Sequence, residues 1–199
     1  MTNNRWWVMP VSFSINFTAA EQNELKELVK QVVDTTTRKH CLVLPKPPLS
    51  ACLLTRRACF VTLYINKQLR GCIGTYAIEK PLWLNVCDYS YYSASQDRRF
   101  VPLQRNELPY LSFEISVLSE LESIPNNGEQ ALLKELKVGT DGLLLKEGSQ
   151  SAIFLPTVWN SLTTPITFVQ ALKHKGGWDR DYWSENMTLY RFSTFVIEG

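Results

Sequence analysis

Helix-type and strand-type periodicity follow one another along this chain in no regular order, and that irregularity constrains the fold most. In some segments apolar residues recur at helical spacing, whereas in others apolar and polar residues alternate as in half-buried strands. A parallel sheet is built from regular βαβ units, which this order of segments lacks. We therefore predict an α+β fold with mainly antiparallel sheets.

Four segments have the apolar spacing or the terminal signals of helices. The first follows Thr18, whose hydroxyl forms a capping box with Glu21 three residues later. The last begins after Thr164, has a proline at its first position, and ends at Gly176. The other two predicted helices cover residues 82–96 and 129–136.

The remaining periodic segments are predicted strands. Residues 66–68 are predicted to close one hairpin and residues 147–150 a second. The C-terminal segment alternates without interruption and is predicted to be a single strand that returns to the larger sheet. The predicted strands are residues 58–65, 69–76, 111–117, 143–146, 152–155 and 189–197.

Composition excludes several classes of function. The chain has 199 residues, 45% of them hydrophobic, which suffices for one large or two small domains. Its 21 basic and 19 acidic residues produce no strong positive field, which argues against nucleic acid as a partner. The apolar run at residues 6–11 is too short for a signal peptide or a membrane span. No membrane partner is expected.

The cysteines indicate a reducing compartment. There are five of them, an odd number, with no Cys-x-x-Cys pair, so we expect a cytoplasmic protein without a disulfide framework. Only two histidines accompany them, and the spacing fits no zinc site. We therefore predict no metal ligands, and the sequence specifies neither a cofactor nor an oligomeric state.

The run Leu-Arg-Gly-Cys-Ile-Gly at residues 69–74 is the most unusual local sequence. In a regular strand Arg70, Cys72 and Gly74 share one face, and a cation beside a thiol favours the nucleophilic thiolate. This pattern predicts a reactive Cys72 with a pKa below that of a free thiol. The glycines at 71 and 74 indicate a bulge or a close approach by ligand or backbone. The alternative is that Cys72 is a small buried hydrophobic residue.

Two further positions carry candidate chemistry. At the end of the helix predicted for residues 82–96, Arg98 or Arg99 is suited to bind a carboxylate or phosphate, with Asp97 orienting the guanidinium. The alternative is that these arginines only complement the helix dipole. His174 is a candidate general base for Cys72, its alternative being a solvated residue at a helix end.

Several sequence blocks resemble the AMMECR-type domain, the "A" component of the bacterial and archaeal AmmeMemoRadiSam group. They occur in the family's order and cover most of the chain from about Thr18 onward. Where the family usually has Asp-Pro-Arg-Phe-Pro-Pro, this chain has Arg98 and Val101 in place of two prolines, and Met1 to Phe17 has no family counterpart. The matching blocks are residues 69–74, 93–103, 113–118, 138–143, 154–159 and 190–192.

The resemblance implies two α+β subdomains of unequal size with the signature residues facing a cleft between them. Applied to this chain, the smaller subdomain is expected at residues 126–183 and the larger at residues 1–125 plus 184–199. Family members occur beside, or fused to, Memo-like and radical-SAM proteins, which implies a shared modification pathway but no defined reaction.

Two classes of function remain. In the first, the chain is an enzyme that binds a small anionic substrate in the cleft. Arg70 and Arg99 clamp the anion, Gly71 and Gly74 admit it close to the backbone, and Cys72 is the nucleophile or a close contact. In the second, the chain is a module that docks Memo-like or radical-SAM partners without chemistry. Docking predicts an exposed apolar patch formed by some of the tryptophans Trp6, Trp7, Trp178 and Trp183.

Overall fold

The computed structural model describes residues 15–199, which form two four-stranded antiparallel sheets and four α-helices. This arrangement confirms the predicted α+β class with mainly antiparallel sheets. The first sheet has the strand order β2-β1-β3-β8, so β2 is an edge strand. Its strands are β1 (Cys59–Ile65), β2 (Gln68–Gly74), β3 (Leu111–Leu118) and β8 (Thr194–Glu198).

Two helices, α1 (Ala19–Lys39) and α2 (Leu82–Ser95), cover one face of the first sheet. The capping box predicted at the start of α1 is present, since the Thr18 hydroxyl accepts from the Glu21 amide at 3.2 Å. Along β1, Val61 and Leu63 point into the helical layer and are fully buried. Strand alternation therefore sends the residues between them to the opposite face of the sheet.

The second sheet has the strand order β4-β7-β5-β6 and packs against the two shorter helices. The Thr164 hydroxyl caps the start of α4, and Gly176 follows its last residue, as the sequence predicts. The elements are β4 (Glu122–Ile124), α3 (Glu129–Glu135), β5 (Gly142–Glu147), β6 (Gln150–Phe154), α4 (Pro165–Lys175) and β7 (Thr188–Phe192).

Tryptophans contribute to the core of this second sheet. Trp159 stacks on Phe168 with ring centroids 3.8 Å apart, and Trp178 is buried in the same cluster. Trp183 packs on that cluster and donates its indole N–H to Asn126. Trp178 is therefore not available for the expected exposed patch, because it is buried in this core, whereas Trp183 is only partly buried. Trp6 and Trp7 lie outside the described residues.

The chain crosses between the sheets at two serines that are hydrogen-bonded to each other. The Ser119 amide donates to the Ser193 carbonyl at 2.9 Å, and the Ser193 amide donates to the Ser119 hydroxyl at 3.0 Å. The crossing at Ser193 divides the C-terminal segment into β7 in the second sheet and β8 in the first. The prediction of one continuous strand over residues 189–197 is therefore wrong, because the segment pairs with two different sheets.

A small apolar cluster joins the two sheets. Its buried members at one end of the first sheet are Ala58 and Leu118. Those at the second sheet are Leu155 and Phe192. The second sheet also takes β4, which precedes residue 126, and β7, which follows residue 183. A division into subdomains at residues 126–183 stays a prediction.

Candidate functional site

Cys72 lies on the edge strand β2, on the face of the first sheet opposite the helices. It is paired across the ladder with Thr62, whose hydroxyl donates to the Cys72 Sγ at 3.2 Å. The side chain is half-buried, and this burial raises the pKa of the thiol, although the Thr62 hydrogen bond and the nearby charge of Arg99 oppose the shift. The predicted lowering of the Cys72 pKa is therefore wrong, because desolvation outweighs the neighbouring cations.

Asp97 closes the outer edge of β2 beside the cysteine. Its Oδ2 accepts the backbone N–H of Cys72 at 2.9 Å, which satisfies a donor that an edge strand otherwise leaves open. The same carboxylate accepts the backbone amide of Arg99 at 3.1 Å and its guanidinium at 2.7 and 3.0 Å. These bonds, chiefly those from the Arg99 side chain, lower the pKa of Asp97 to about 2. Asp97 is therefore a carboxylate at neutral pH.

Arg99 links the Asp97 carboxylate to the backbone of β2. A guanidinium nitrogen also donates to the Cys72 carbonyl at 3.3 Å, while 56% of the Arg99 side chain remains exposed. The structure therefore brings three of the sequence-predicted site residues together: Cys72, Asp97 and Arg99.

Arg70 follows a different path because β2 contains a bulge. Leu63 of β1 is opposite Gly71 and Tyr64 is opposite Leu69, so Arg70 is the extra residue. A bulge breaks the alternation of side chains and re-aims the extra one. The Arg70 guanidinium binds Glu107 in bidentate fashion at 2.8 and 3.0 Å, with 12% of the side chain exposed. The predicted common face for Arg70 and Cys72 is therefore wrong.

A single aromatic ring still separates the two arginines of the predicted clamp. The guanidinium carbons of Arg70 and Arg99 lie 5.9 and 5.5 Å from the centre of the Phe100 ring. Arg70 is largely buried and binds Glu107 through its Nε and one terminal nitrogen, whereas Arg99 retains solvent contact. Of the two, Arg99 is the one available to a ligand.

The two signature glycines are approached closely by the chain's own atoms. A Cβ added to Gly71 would lie 2.1 Å from the Ser93 carbonyl oxygen of α2, so only glycine allows the helix to approach β2 here. At Gly74 a Cβ would lie 2.5 Å from the Cys59 carbonyl oxygen. Packing therefore accounts for both glycines, and their contact with a substrate stays a prediction.

His174 is exposed at the end of α4 and is not among the groups whose charge acts on Cys72. The charge of the next residue, Lys175, acts on both Cys72 and Arg99. Its Nζ donates to the Ile153 carbonyl at 2.8 Å and lies 5.1 Å from the Phe154 ring centre. Lys175, rather than His174, is therefore the residue at this helix end whose charge acts on Cys72.

Lys175 is a cation without a carboxylate partner in the described part of the chain. Although the side chain retains solvent contact, the protein packed around its ammonium group lowers its pKa. Sequence reasoning missed this residue because no local pattern shows that the last turn of α4 approaches β2. The one available sequence signal was the group of basic residues in the last turn of α4.

Tyr64 and Glu114 extend the polar face next to Cys72. Burial, together with the charge of Glu114, raises the pKa of the Tyr64 phenol to about 12. Glu114 is paired with Thr62 across the ladder between β1 and β3. The phenol is therefore a neutral hydrogen-bond donor in the physiological range, a role that no sequence motif indicated.

The described residues contain neither a membrane-spanning helix nor a cluster of metal ligands. None of the helices within residues 15–199 combines the length and apolar character needed to cross a bilayer. In that same part of the chain, no three His, Cys, Asp or Glu side chains are grouped so as to hold a metal ion.

Comparison with known proteins identifies the family. The family model described as AMMECR1 matches residues 19–197. Protein MJ0810 of Methanocaldococcus jannaschii is 32% identical over 147 residues, which cover 72% of this chain and 73% of that protein. Protein TK0174 of Thermococcus kodakarensis is 32% identical over 187 residues, covering 87% of this chain and 88% of that protein.

A solved structure has the same fold. The crystal structure of the uncharacterized protein PH0010 from Pyrococcus horikoshii superposes with a TM-score of 0.80 at 28% identity, covering 87% of this chain and 88% of that one. The family match spans the strand that bears Cys72, the segment that bears Arg99 and the helix that ends at Lys175. This chain is therefore a member of the AMMECR1 family.

Proposed function

We propose that this chain is an enzyme that binds a small anionic substrate between Arg99 and Lys175 and presents Cys72 to its reacting atoms. The two cations come from opposite parts of the fold, Arg99 beside the first sheet and Lys175 from the helix that packs on the second. A site between them corresponds to the cleft expected from the family resemblance.

The observation that carries this proposal is the unpaired ammonium of Lys175. Arg99 has its charge largely balanced by Asp97, so a ligand near it meets little net charge from that pair alone. Lys175 adds a positive charge that no carboxylate within residues 15–199 neutralises, and its surroundings are partly desolvated. An anion that binds there gains a charge-assisted hydrogen bond from the ammonium group.

Cys72 is a protonated thiol in the resting site, because its pKa is raised. Only the thiolate is a nucleophile, so reaction requires that the proton leave when substrate binds. That proton leaves to water, and the positive charges of Arg99 and Lys175 stabilise the thiolate that remains.

Titration with two small anions, inorganic phosphate and malonate, tests the binding step. We expect saturable amide shifts at Cys72, Ile73 and Arg99 in a ¹⁵N-labelled sample of the full chain. Lys175→Gln is expected to weaken this binding about tenfold, since one charge-assisted hydrogen bond is lost. The matched control is Lys134→Gln, which removes an exposed lysine on α3 and is expected to leave the binding unchanged.

Two results would contradict the proposal. One is a titration in which neither anion shifts these amides, and the other is equal weakening by Lys175→Gln and Lys134→Gln. Either result would leave the docking role, for Memo-like or radical-SAM partners, as the remaining hypothesis. That role also requires Cys72→Ser to be tolerated in every assay.

A further inference from the structure

A separate cavity of about 410 Å³ opens at one end of the first sheet. Because β1 runs antiparallel to its two neighbours, the start of β1 and the ends of β2 and β3 meet at this place. The cavity is lined by side chains from all three segments and shares none with the Cys72 site. Its main walls are Arg56, Arg57, Tyr76, Ile78, Leu118 and Leu121.

The floor of the cavity is apolar. Leu118 is buried there with Ala58, and Tyr76 and Leu121 pack on the same cluster that joins the two sheets. At the rim, Ile78 leaves 62% of its surface exposed. A bound group with an apolar body would cover this side chain and remove apolar area from water.

The charge of the cavity is carried by two adjacent arginines. Neither Arg56 nor Arg57 forms an ion pair with a carboxylate in the described residues, and Glu120 is the acidic residue in the lining. The Nε of Arg57 is buried and has no hydrogen-bond acceptor within residues 15–199. A buried guanidinium N–H without an acceptor costs free energy that an anionic oxygen would recover.

We propose that this cavity binds a small monocarboxylate with an apolar body. Arg57 provides the planar guanidinium that pairs with a carboxylate, and Arg56 adds a second positive charge. Tyr76, Leu118 and Ile78 contact the apolar part. The volume is near the lower end of the range for small-molecule sites, which suits a ligand of about ten non-hydrogen atoms.

The test compares 3-phenylpropionate with its neutral analogue 3-phenylpropanamide and with inorganic phosphate. In a ¹⁵N-labelled sample of the full chain we expect 3-phenylpropionate to shift the amides of Arg57, Ile78 and Leu121 in a saturable way. The amide analogue and phosphate are each expected to bind at least tenfold more weakly, since one lacks the charge and the other the apolar body.

Four variants make the test specific. Arg57→Gln is expected to weaken binding of 3-phenylpropionate about tenfold. Because Arg57 is partly buried, its substitution also perturbs folding, so two variants of the exposed Ile78 are compared with each other. Ile78→Asp is expected to weaken binding severalfold, and Ile78→Lys is not. Lys175→Gln is expected to leave this binding unchanged, which separates the cavity from the Cys72 site.

The proposal is overturned if the amide analogue or phosphate binds as tightly as the carboxylate. It is also overturned if the two Ile78 variants behave alike, or if the shifts appear at Cys72 instead of the cavity. Loss of anion binding at Cys72 alone would contradict the proposed function and leave the cavity proposal standing.

Discussion

Removing the charge of Asp97 is the sharpest single perturbation of the site's architecture. In Asp97→Asn the side chain keeps its shape but loses its negative charge and one of its two acceptor oxygens. In the native protein that carboxylate accepts the Cys72 amide and three N–H groups of Arg99. The variant therefore turns an amide N–H₂ toward donors at the edge of β2.

The size of the effect follows from the pKa. Asp97 shifts from 3.8 to about 2 on folding, and the side chain is only 6% exposed. At 1.36 kcal/mol for each pKa unit, its charge contributes about 2.5 kcal/mol to stability at neutral pH. With the penalty for a donor facing a donor, we expect Asp97→Asn to lower the free energy of unfolding by about 3 kcal/mol.

Urea unfolding as a function of pH measures this quantity. Because the folded pKa is depressed, the contribution is complete above the unfolded pKa and is lost as the pH falls through the folded pKa. The gap between wild type and Asp97→Asn should fall to about half by pH 3. The control is Asp34→Asn, which breaks an exposed pair with Arg38 and should cost less than about 0.5 kcal/mol.

Two outcomes would contradict the contribution assigned to the Asp97 carboxylate. A loss below about 1 kcal/mol at pH 7 would mean that the carboxylate does not support the edge of β2 as its hydrogen bonds indicate. A gap that keeps its full size at pH 3 would mean that the pKa of Asp97 is not depressed in the folded protein.

Three further predictions concern packing and charge. Gly71→Ala should cost about 3 kcal/mol in urea unfolding, because its Cβ meets a carbonyl oxygen of α2 at 2.1 Å; a wild-type midpoint would contradict that approach. Lys175→Met should unfold at no lower urea concentration than wild type at pH 7, because a lowered folded pKa means that folding disfavours the charge; a clear loss of stability would contradict this sign. Lys173→Met should cost about 3 kcal/mol, because its fully buried ammonium pairs with Glu129 at 2.7 Å; the variant should lose less when Glu129→Gln is already present.

Local sequence signals predicted the elements well where each residue pattern acts within one segment. The capping box at Thr18 and the proline and glycine that bound α4 depend only on nearby backbone groups, and both are observed. The prediction of a single C-terminal strand was wrong because it depended on contacts between distant segments. Its alternation is real on both sides of Ser193, but the choice of sheet depends on pairing with β3, β4 and β5, which lie far away in sequence.

The candidate site shows the same difference between local contacts, which the sequence predicted, and long-range contacts, which it did not. Asp97 and Arg99 are two residues apart, so a turn brings them together and the sequence predicted their pairing. Arg70 meets Glu107, which is 37 residues away, through a bulge that no pattern of residues 69–74 specifies. Lys175 approaches Cys72 from the other part of the fold. Contacts of that kind depend on packing between elements, which periodicity does not encode.

The proposed function requires that Cys72 lie in a positive environment made by Arg99 and Lys175. Iodoacetate and iodoacetamide test this environment directly, because both reagents alkylate the thiolate with loss of iodide and they differ mainly in charge. The ratio of their rates at Cys72, measured by peptide mass spectrometry, is compared between folded and urea-unfolded protein. We predict a ratio at least threefold higher in the folded protein, reduced by Lys175→Gln but not by Lys134→Gln. An equal or lower ratio in the folded protein would show that Arg99 and Lys175 do not make the environment of Cys72 positive.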